Sequence, residues 1–335
     1  MHAAFIETSG SPDQIRYGEL PDPVPGPGEV LVRTEAVAVN TVDTYVRSGA
    51  WPTPVTFPLA VGRDLVGTVT GTGPGVTEFA PGDRVWTNSA GYDGRPGATA
   101  EVAVVAQSRL YRLPDGADPV PFVAAVHPAA TAYGALVRRA RLRPGETVAV
   151  AGANGAVGMC LIQVAAARGA QVVAVVRSRK TPEGDDPLAR RLTELGASKV
   201  VMVRDAGQAP AAASGAAPDG VDVLVDTTGL ADLDDVARFV NSRGRVVLIA
   251  GKQRRIEVNP WRFYTRETQL LGFIMSAMTA GELAAAAAWI NVSSPAVSVG
   301  RVLTFAEAAL AHTILEAGQL PRLPDHTVGR LVLRP

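Results

Sequence analysis

Cysteine is nearly missing from this chain of 335 residues: Cys160 is the only one. A single thiol excludes a disulfide within the chain and a structural zinc held by four thiolates. Aromatic residues make up 5% of the sequence, which argues against an extensive aromatic cage around a substrate. Net charge is also absent, since Lys+Arg and Asp+Glu both number 32. No bulk field therefore draws the chain to nucleic acid or to an anionic membrane. The arginines at 138, 139, 141 and 143 read as a solvated helix end. The alanine run Ala284–Ala288 is too short to cross a bilayer, and no uninterrupted apolar stretch reaches eighteen residues. The opening MHAAFIETSG lacks the basic and apolar regions of a secretory signal, so the expected location is the cytoplasm. Four histidines (His2, His127, His312, His326) are scattered without metal-ligand spacing.

What is present is a globular composition, 47% hydrophobic and 19% charged, at a length that suits two domains. Up to about residue 117 the chain is dense in proline and glycine, with short apolar runs such as Val30–Val32, Val66–Val69 and Val102–Val105. That spacing predicts a small, partly open β domain. Beyond Pro121 it turns to alanine-rich helix and then alternates strand and helix. Predicted strands are Thr147–Val150, Gln171–Val176, Lys199–Val203, Val221–Asp226, Arg245–Ile249 and Gln269–Ile274, the pattern of a parallel, doubly wound α/β sheet. The tract from Gly207 to Gly220 reads as a mobile loop or ragged helix. Helices follow at Ala280–Ile290 and Phe305–Ala317. A last strand, Leu331–Leu333, needs a sheet to join, and the N-terminal β domain is the natural one. The expected arrangement is a discontinuous catalytic domain (1–118 and 262–335) with a nucleotide-binding domain (119–261) inserted in it.

The stretch that organises the chain is Glu146–Lys180. A buried strand leads straight into Gly152-Ala153-Asn154-Gly155-Ala156-Val157-Gly158, and a helix and a second strand follow. Glycines there let backbone N–H groups approach a pyrophosphate, and the helix start adds unsatisfied donors and partial positive charge. The match to the dinucleotide fingerprint is imperfect, because Ala153 stands where its first glycine would be. An NAD site places Asp or Glu about 20 residues past the glycines, on the ribose 2′-hydroxyl. This chain has Arg177, Ser178, Arg179 and Lys180 there, and no acid before Glu183. Cations and a hydroxyl suit a 2′-phosphate, which predicts NADPH. A solvated basic turn is the plainer alternative.

The segments PDPVPGPGEVLVRTEAVAVN, NTVDTYVRSGAWP, FPLAVGRDLVGTV with PGDRV, TAYGAL, PGETVAVAGANGAVG, GRVVLIAG and GRLVL follow one another in order. Together they resemble the medium-chain dehydrogenase/reductase superfamily, in its zinc-independent, ζ-crystallin-like quinone oxidoreductase branch. The resemblance covers essentially the whole chain. It implies a Rossmann-type sheet inserted in a GroES-like, partly open β-barrel, with NADPH and neither metal nor flavin. Zinc-dependent members hold their metal with a cysteine and a His-Glu pair. Thr41 stands where the cysteine would be, and Gly62-Arg63-Asp64 where the pair would be.

The resemblance further implies Asn40 and Tyr45 beside the nicotinamide as catalytic groups, able to donate hydrogen bonds to a reduced oxygen. It places Thr131, Ala250, Gly251, Phe273 and Ile274 against the cofactor, and Arg330 within reach of the 2′-phosphate. Asp43, Lys252, Tyr264 and Arg266 are candidate contacts to the acceptor. His127 departs from the family's apolar residue, and a helix-start histidine is its plainer reading. The expected reaction is hydride transfer from NADPH to a quinone or similar acceptor, in a homodimer. An enoyl or alkenal reductase, a pathway-specific tailoring reductase and a non-catalytic NADPH-binding sensor remain alternatives.

Overall fold

The computed structural model describes residues 1–178, 186–251 and 257–335, apart from the side chains of Asp234 and Asp235. The chain divides into two compact units. One holds Met1–His127, Thr279–Arg322 and Val328–Pro335, and the other holds Pro128–Met278 with Leu323–Thr327.

The first unit opens with eight strands: β1 His2–Ile6, β2 Arg16–Glu19, β3 Glu29–Ala38, β4 Leu59–Ala60, β5 Asp64–Thr72, β6 Arg84–Thr87, β7 Val102–Ala106 and β8 Tyr111–Arg112. Helix α1 (Thr41–Ser48) follows β3, and α2 (Pro119–Tyr133) leads out of the unit. Strand β3 alternates as a half-buried strand should, with Val30 and Val32 buried and Arg33 outward. It pairs antiparallel with β5 and with β7. The core gathers Val30, Val32, Leu65, Val69, Val85 and Leu333. Each such side chain contributes roughly 1.5–3 kcal/mol on leaving water.

The second unit is a doubly wound sheet. Its elements are β9 Thr147–Ala151, α3 Ala156–Ala167, β10 Gln171–Arg177, α4 Pro187–Glu194, β11 Lys199–Val203, α5 Ala209–Ala216, β12 Val221–Asp226, α6 Leu233–Phe239, β13 Val240–Leu248, α7 Pro260–Tyr264 and β14 Gln269–Gly272. The chain then returns to the first unit through α8 (Ala280–Ser293), β15 (Val299–Thr304), α9 (Ala308–Glu316) and β16 (Arg330–Arg334). All pairings in the six-stranded sheet are parallel, in the order β11-β10-β9-β12-β13-β14. Counted from β9, that is the 3-2-1-4-5-6 order of the dinucleotide-binding fold. Burial on both faces explains the continuous apolar runs of β9 and β10.

The terminal strand does join the N-terminal sheet, since β16 runs antiparallel to β3 with Val332 opposite Ala38. The Gly207–Gly220 tract contains α5, in line with the helix half of its reading, and Ala209 and Ala213 are buried against the sheet, so small side chains there serve close packing. Two expectations are corrected. The inserted unit extends past 261, because β14 pairs with β13 and ties residues 269–272 to this sheet. The first half of α2 belongs to the other unit. Finally, Pro119–Arg139 is a continuous 21-residue helical stretch with a mean hydropathy of 1.4, apolar enough to cross a membrane by composition. Two-thirds of it (67%) is buried inside the protein, the pattern of a core helix.

Candidate active site

In the second unit the strand order reverses between β9 and β12, and the glycine turn stands at the carboxyl end of β9. Gly152 has φ +79°, and a Cβ there would overlap Thr227 Oγ1 and lie 2.9 Å from Thr228 Cγ2. A Cβ on Gly158 would overlap Gly152 O and lie 2.6 Å from Ala153 Cα, so this glycine lets α3 pack tightly on the turn. Gly155 is different. The nearest atom its Cβ would meet is Gly152 O at 3.5 Å, which leaves its outer side open. As N-cap of α3, Gly155 precedes helix N–H groups with no partner inside the helix. Ala153 is buried, and its N–H bonds to Val175 O at 3.1 Å, so this position serves the turn. Asn154, Ala156 and Val157 flank the open side in sequence. A cradle with room at Gly155 and donors behind it fits a pyrophosphate.

The turn after β12 supports this cradle, and the sequence reading had no signal for it. Asp226 is 1% exposed; its Oδ1 accepts from Thr228 N (2.8 Å) and Thr228 Oγ1 (2.7 Å), and its Oδ2 from Ala231 N (3.1 Å). Thr227 Oγ1 donates to Ala151 O at 2.7 Å, clamping the two strand ends at the switch point. At the end of β10, Arg177 is exposed and Ser178 is anchored through its N–H to Val203 O (2.9 Å). Arg179, Lys180 and Lys252 lie outside the described residues. Ala250 and Gly251 follow β13 at the same carboxyl edge of the sheet. Phe273 is buried, its ring against Gly134, and its N–H donates to Leu248 O (3.0 Å). Thr131 is half-buried in α2, and Ile274 half-buried just past β14. Tyr264 and Arg266 are corrections. They precede β14 at the amino ends of the parallel strands, where Arg266 donates to Val240 O at 2.8 Å, whereas cofactor and acceptor bind outside the carboxyl ends.

The first unit carries a buried polar cluster. Asn40 caps α1 and is 3% exposed; its N–H donates to Asp43 Oδ2 at 2.7 Å. Its Nδ2 donates to Asp64 Oδ2 (2.8 Å), and its Oδ1 accepts from Arg330 Nη2 (2.5 Å). Sheet register explains the meeting: Ala38 faces both Asp64 and Val332, so Asn40 comes beside the start of β5 and of β16. His127 Nδ1 lies 3.4 Å from Asp64 Oδ1. Burial lowers the affinity of this imidazole for a proton, against the opposing pull of Asp64. Arg63 is 2% exposed beside both carboxylates. Burial, followed by the negative charge of Asp64, pushes the Asp43 carboxyl up to about 7.

These contacts correct three readings. The amide of Asn40 is engaged at both ends inside the cluster, so it orients charges and presents no free donor. Arg330 Nη2 is turned into the same cluster, where it donates to Asn40. Asp43 is buried and closes the turn of α1, which removes it from contact with an acceptor. Tyr45, by contrast, is 45% exposed on α1. The cluster is also a poor zinc site. Asn40, and not the exposed Thr41, faces Asp64, and the Arg63 and Arg330 guanidinium groups already supply the balancing charge. Cys160 is buried within α3 of the other unit. Among the described residues no group of three or more His, Cys, Asp or Glu is placed to hold a metal ion.

A hollow of about 290 Å³ lined by Gly82–Arg84 and Arg112–Gly116 lies elsewhere on the first unit. Arg112 pairs there with Asp83 at 2.7 Å, and the hollow holds none of these groups.

Residues 26–115 match the alcohol dehydrogenase GroES-like domain, and 156–291 the zinc-binding dehydrogenase family. The quinone oxidoreductase of Rattus norvegicus is 31% identical over 84% of this chain and 82% of its own length. The acryloyl-coenzyme A reductase of Metallosphaera sedula is 31% identical over 73% of this chain and 75% of its own. Among solved structures, a mycobacterial protein complexed with NADPH superposes with a TM-score of 0.79 at 31% identity, over the whole of both chains.

Proposed function

The chain belongs to the medium-chain dehydrogenase/reductase superfamily, in its quinone oxidoreductase branch, and from that premise we propose that it is an NADPH-dependent reductase of quinones or similar electron-poor carbonyl acceptors. One observation carries the cofactor half of the reading: an open glycine cradle at the switch point of a 3-2-1-4-5-6 sheet, with Arg177 and Ser178 at the end of the next strand. When bound, NADPH supplies the hydride. The chain's own residues do the remainder. Gly155 and the start of α3 receive the pyrophosphate, while Asp226 and Thr227 hold the neighbouring turn in place. Arg177 and Ser178 meet the 2′-phosphate. The phenol of Tyr45 donates to the acceptor oxygen as negative charge grows there, and it or water provides the proton. Asn40 is a positioning residue that fixes Asp64 and Arg330 behind α1.

Zinc-independence is part of the proposal. It rests on the donor set: there is no thiolate, and the Asp43 and Asp64 carboxylates are already engaged by the Asn40 amide, the His127 imidazole and the Arg63 and Arg330 guanidinium groups, whose positive charge disfavours a dication. A homodimer is supported by β14, the last strand of its sheet among the described residues, and by the exposed Leu270 (39%), Trp261 (66%) and Tyr264 (62%) on and before it. A cytoplasmic location suits the single buried thiol. The acryloyl-coenzyme A reductase relative favours an enone acceptor as second reading.

The test is nicotinamide absorbance with metal-depleted protein. NADPH oxidation by a small quinone, well above that with NADH, is the expected result. Tight NADPH binding without turnover on any quinone or enone would leave a sensor instead. Equal use of NADH would refute the role given to Arg177 and Ser178.

A further inference from the structure

Although aromatic residues are scarce, three of them gather on one face of the first unit. The rings of Tyr45 and Trp51 stack at 6.4 Å with 16° between their planes. Trp51 Nε1 donates to Tyr92 Oη at 3.2 Å, which joins the end of α1 to the 88–97 loop. Backbone bonds hold the two loops together: Gly94 N–H to Pro54 O (2.9 Å) and Asp93 N–H to Thr53 Oγ1 (2.9 Å). Tyr45 is 45% exposed, and Trp51 and Tyr92 are half-buried, so the rings form a fixed shelf with open edges.

Cations surround the far end of that shelf. The Arg63 and Arg95 guanidinium carbons lie 4.6 and 5.7 Å from the centre of the Tyr92 ring, within cation–π range. Arg95 donates from Nε to Ser89 O (2.7 Å) and from Nη1 to the exposed Asp93 (3.3 Å). Its Nη2 has no hydrogen-bond partner among the described residues, and neither does the half-buried guanidinium of Arg109. Burial and then the charges of the neighbouring Arg109 and Arg63 hold Arg95 below its ordinary pKa, against the pull of Asp93. Asp43 and Asp64 are occupied with Arg63, Asn40, His127 and Arg330, which leaves Asp93 alone against Arg95 and Arg109.

We infer that this shelf selects the acceptor: a flat conjugated ring system lies along Tyr45, Trp51 and Tyr92, and a carboxylate on it is held by Arg95 and Arg109. The inference rests on the reductase reading and narrows its substrate class to anionic aromatic quinones. Stacking gives the plane, and the free guanidinium donors give the charge selectivity. One charge-assisted hydrogen bond is worth about 1.5–3 kcal/mol, so roughly tenfold or more in preference is expected.

The probes are a 1,4-naphthoquinone carrying a carboxymethyl side chain and its methyl ester, the same shape without the charge. Wild-type protein should favour the acid about tenfold in kcat/KM, and in affinity by calorimetry, with the preference shrinking as salt rises. Arg95→Gln and Arg109→Gln should each lower the acid-to-ester ratio, and the double variant should bring it close to one. Because the Arg109 guanidinium has no hydrogen-bond partner among the described residues, its substitution tests the idea even if Arg95→Gln disturbs the loop. Trp51→Leu should raise KM for the naphthoquinones more than for a small acyclic enone. Equal use of acid and ester by wild type, or a ratio that survives both arginine changes, overturns the inference. Arginine-dependent binding of the acid without any NADPH oxidation would retain this site and remove the reductase reading. NADPH oxidation by quinones without discrimination would do the reverse.

Discussion

Asp43→Asn isolates the electrostatics of the buried cluster. Asp43 is 3% exposed, and its carboxyl titrates at about 7 in the folded protein against an ordinary 3.8. Burial is the main cause and the charge of Asp64 the second, and the arginines offset only part of this. The folded state therefore holds a proton that the unfolded chain releases between about pH 4 and 7. Where the folded form binds more protons, stability falls as pH rises, so Asp43 removes stability across that window. At about 1.36 kcal/mol per pH unit, the full effect above pH 7 is roughly 4 kcal/mol, and relaxation around a coupled pair brings about 2 within reach. Asparagine keeps an oxygen for the N–H of Asn40 and cannot ionise. The variant should match wild type near pH 5 and exceed it at pH 8.5 by roughly 4–8 °C in the first unit's melting transition, at about 2–4 °C per kcal/mol. Calorimetric melts of both proteins from pH 5 to 8.5 give the comparison. The same pH slope in both proteins, or an equal loss at every pH, would refute the reasoning.

His312 predicts the opposite sign. Buried to 1% exposure, with its charged form held off by burial and then by Arg47, it titrates at about 3. The unfolded chain takes up the proton first, so stability falls as pH drops below 6.5, and His312→Leu should flatten that acid limb by up to about 1.4 kcal/mol per pH unit. Melts between pH 4 and 6.5 show whether it does. Gly158→Val would force a side chain into the backbone at Gly152 and Ala153, so NADPH affinity should fall at least about tenfold and stability by roughly 1–3 kcal/mol, read by calorimetric titration and melting. Replacing Arg177 and Ser178 by alanine should shift the kcat/KM ratio for NADPH over NADH by about tenfold toward NADH, and an unchanged ratio would assign both to the surface.

Much of the architecture is legible in local pattern. Strands β9 and β10 lie in continuous runs of small and β-branched residues, because both faces of the sheet are covered there, and Gly152–Gly158 marks the cofactor turn, because its glycines permit that backbone approach. The closing strand at Leu331–Leu333 was readable too, since an apolar terminal run needs a partner. Helix α5 was legible only as one of two alternatives, because alanine and glycine carry no amphipathic signal and its burial is set by the sheet beneath.

The cluster around Asp64 and the shelf at Tyr92 were decided by tertiary structure alone. Asn40 and Arg330 stand 290 positions apart and meet because β3 takes β5 and β16 in one register. That register follows from burying one face of β3, a choice made by the whole sheet. Once made, it brings Asn40, Asp64 and Arg330 together with no trace in the spacing of any of them. Likewise Tyr45, Trp51 and Tyr92 are ordinary in their own segments, and their common face exists because two loops are bonded to each other. Sequence determined the fold and the cofactor turn, where neighbours along the chain carry the physics. Folding determined which charges are shared and which remain free for a ligand, because that depends on contacts between distant segments.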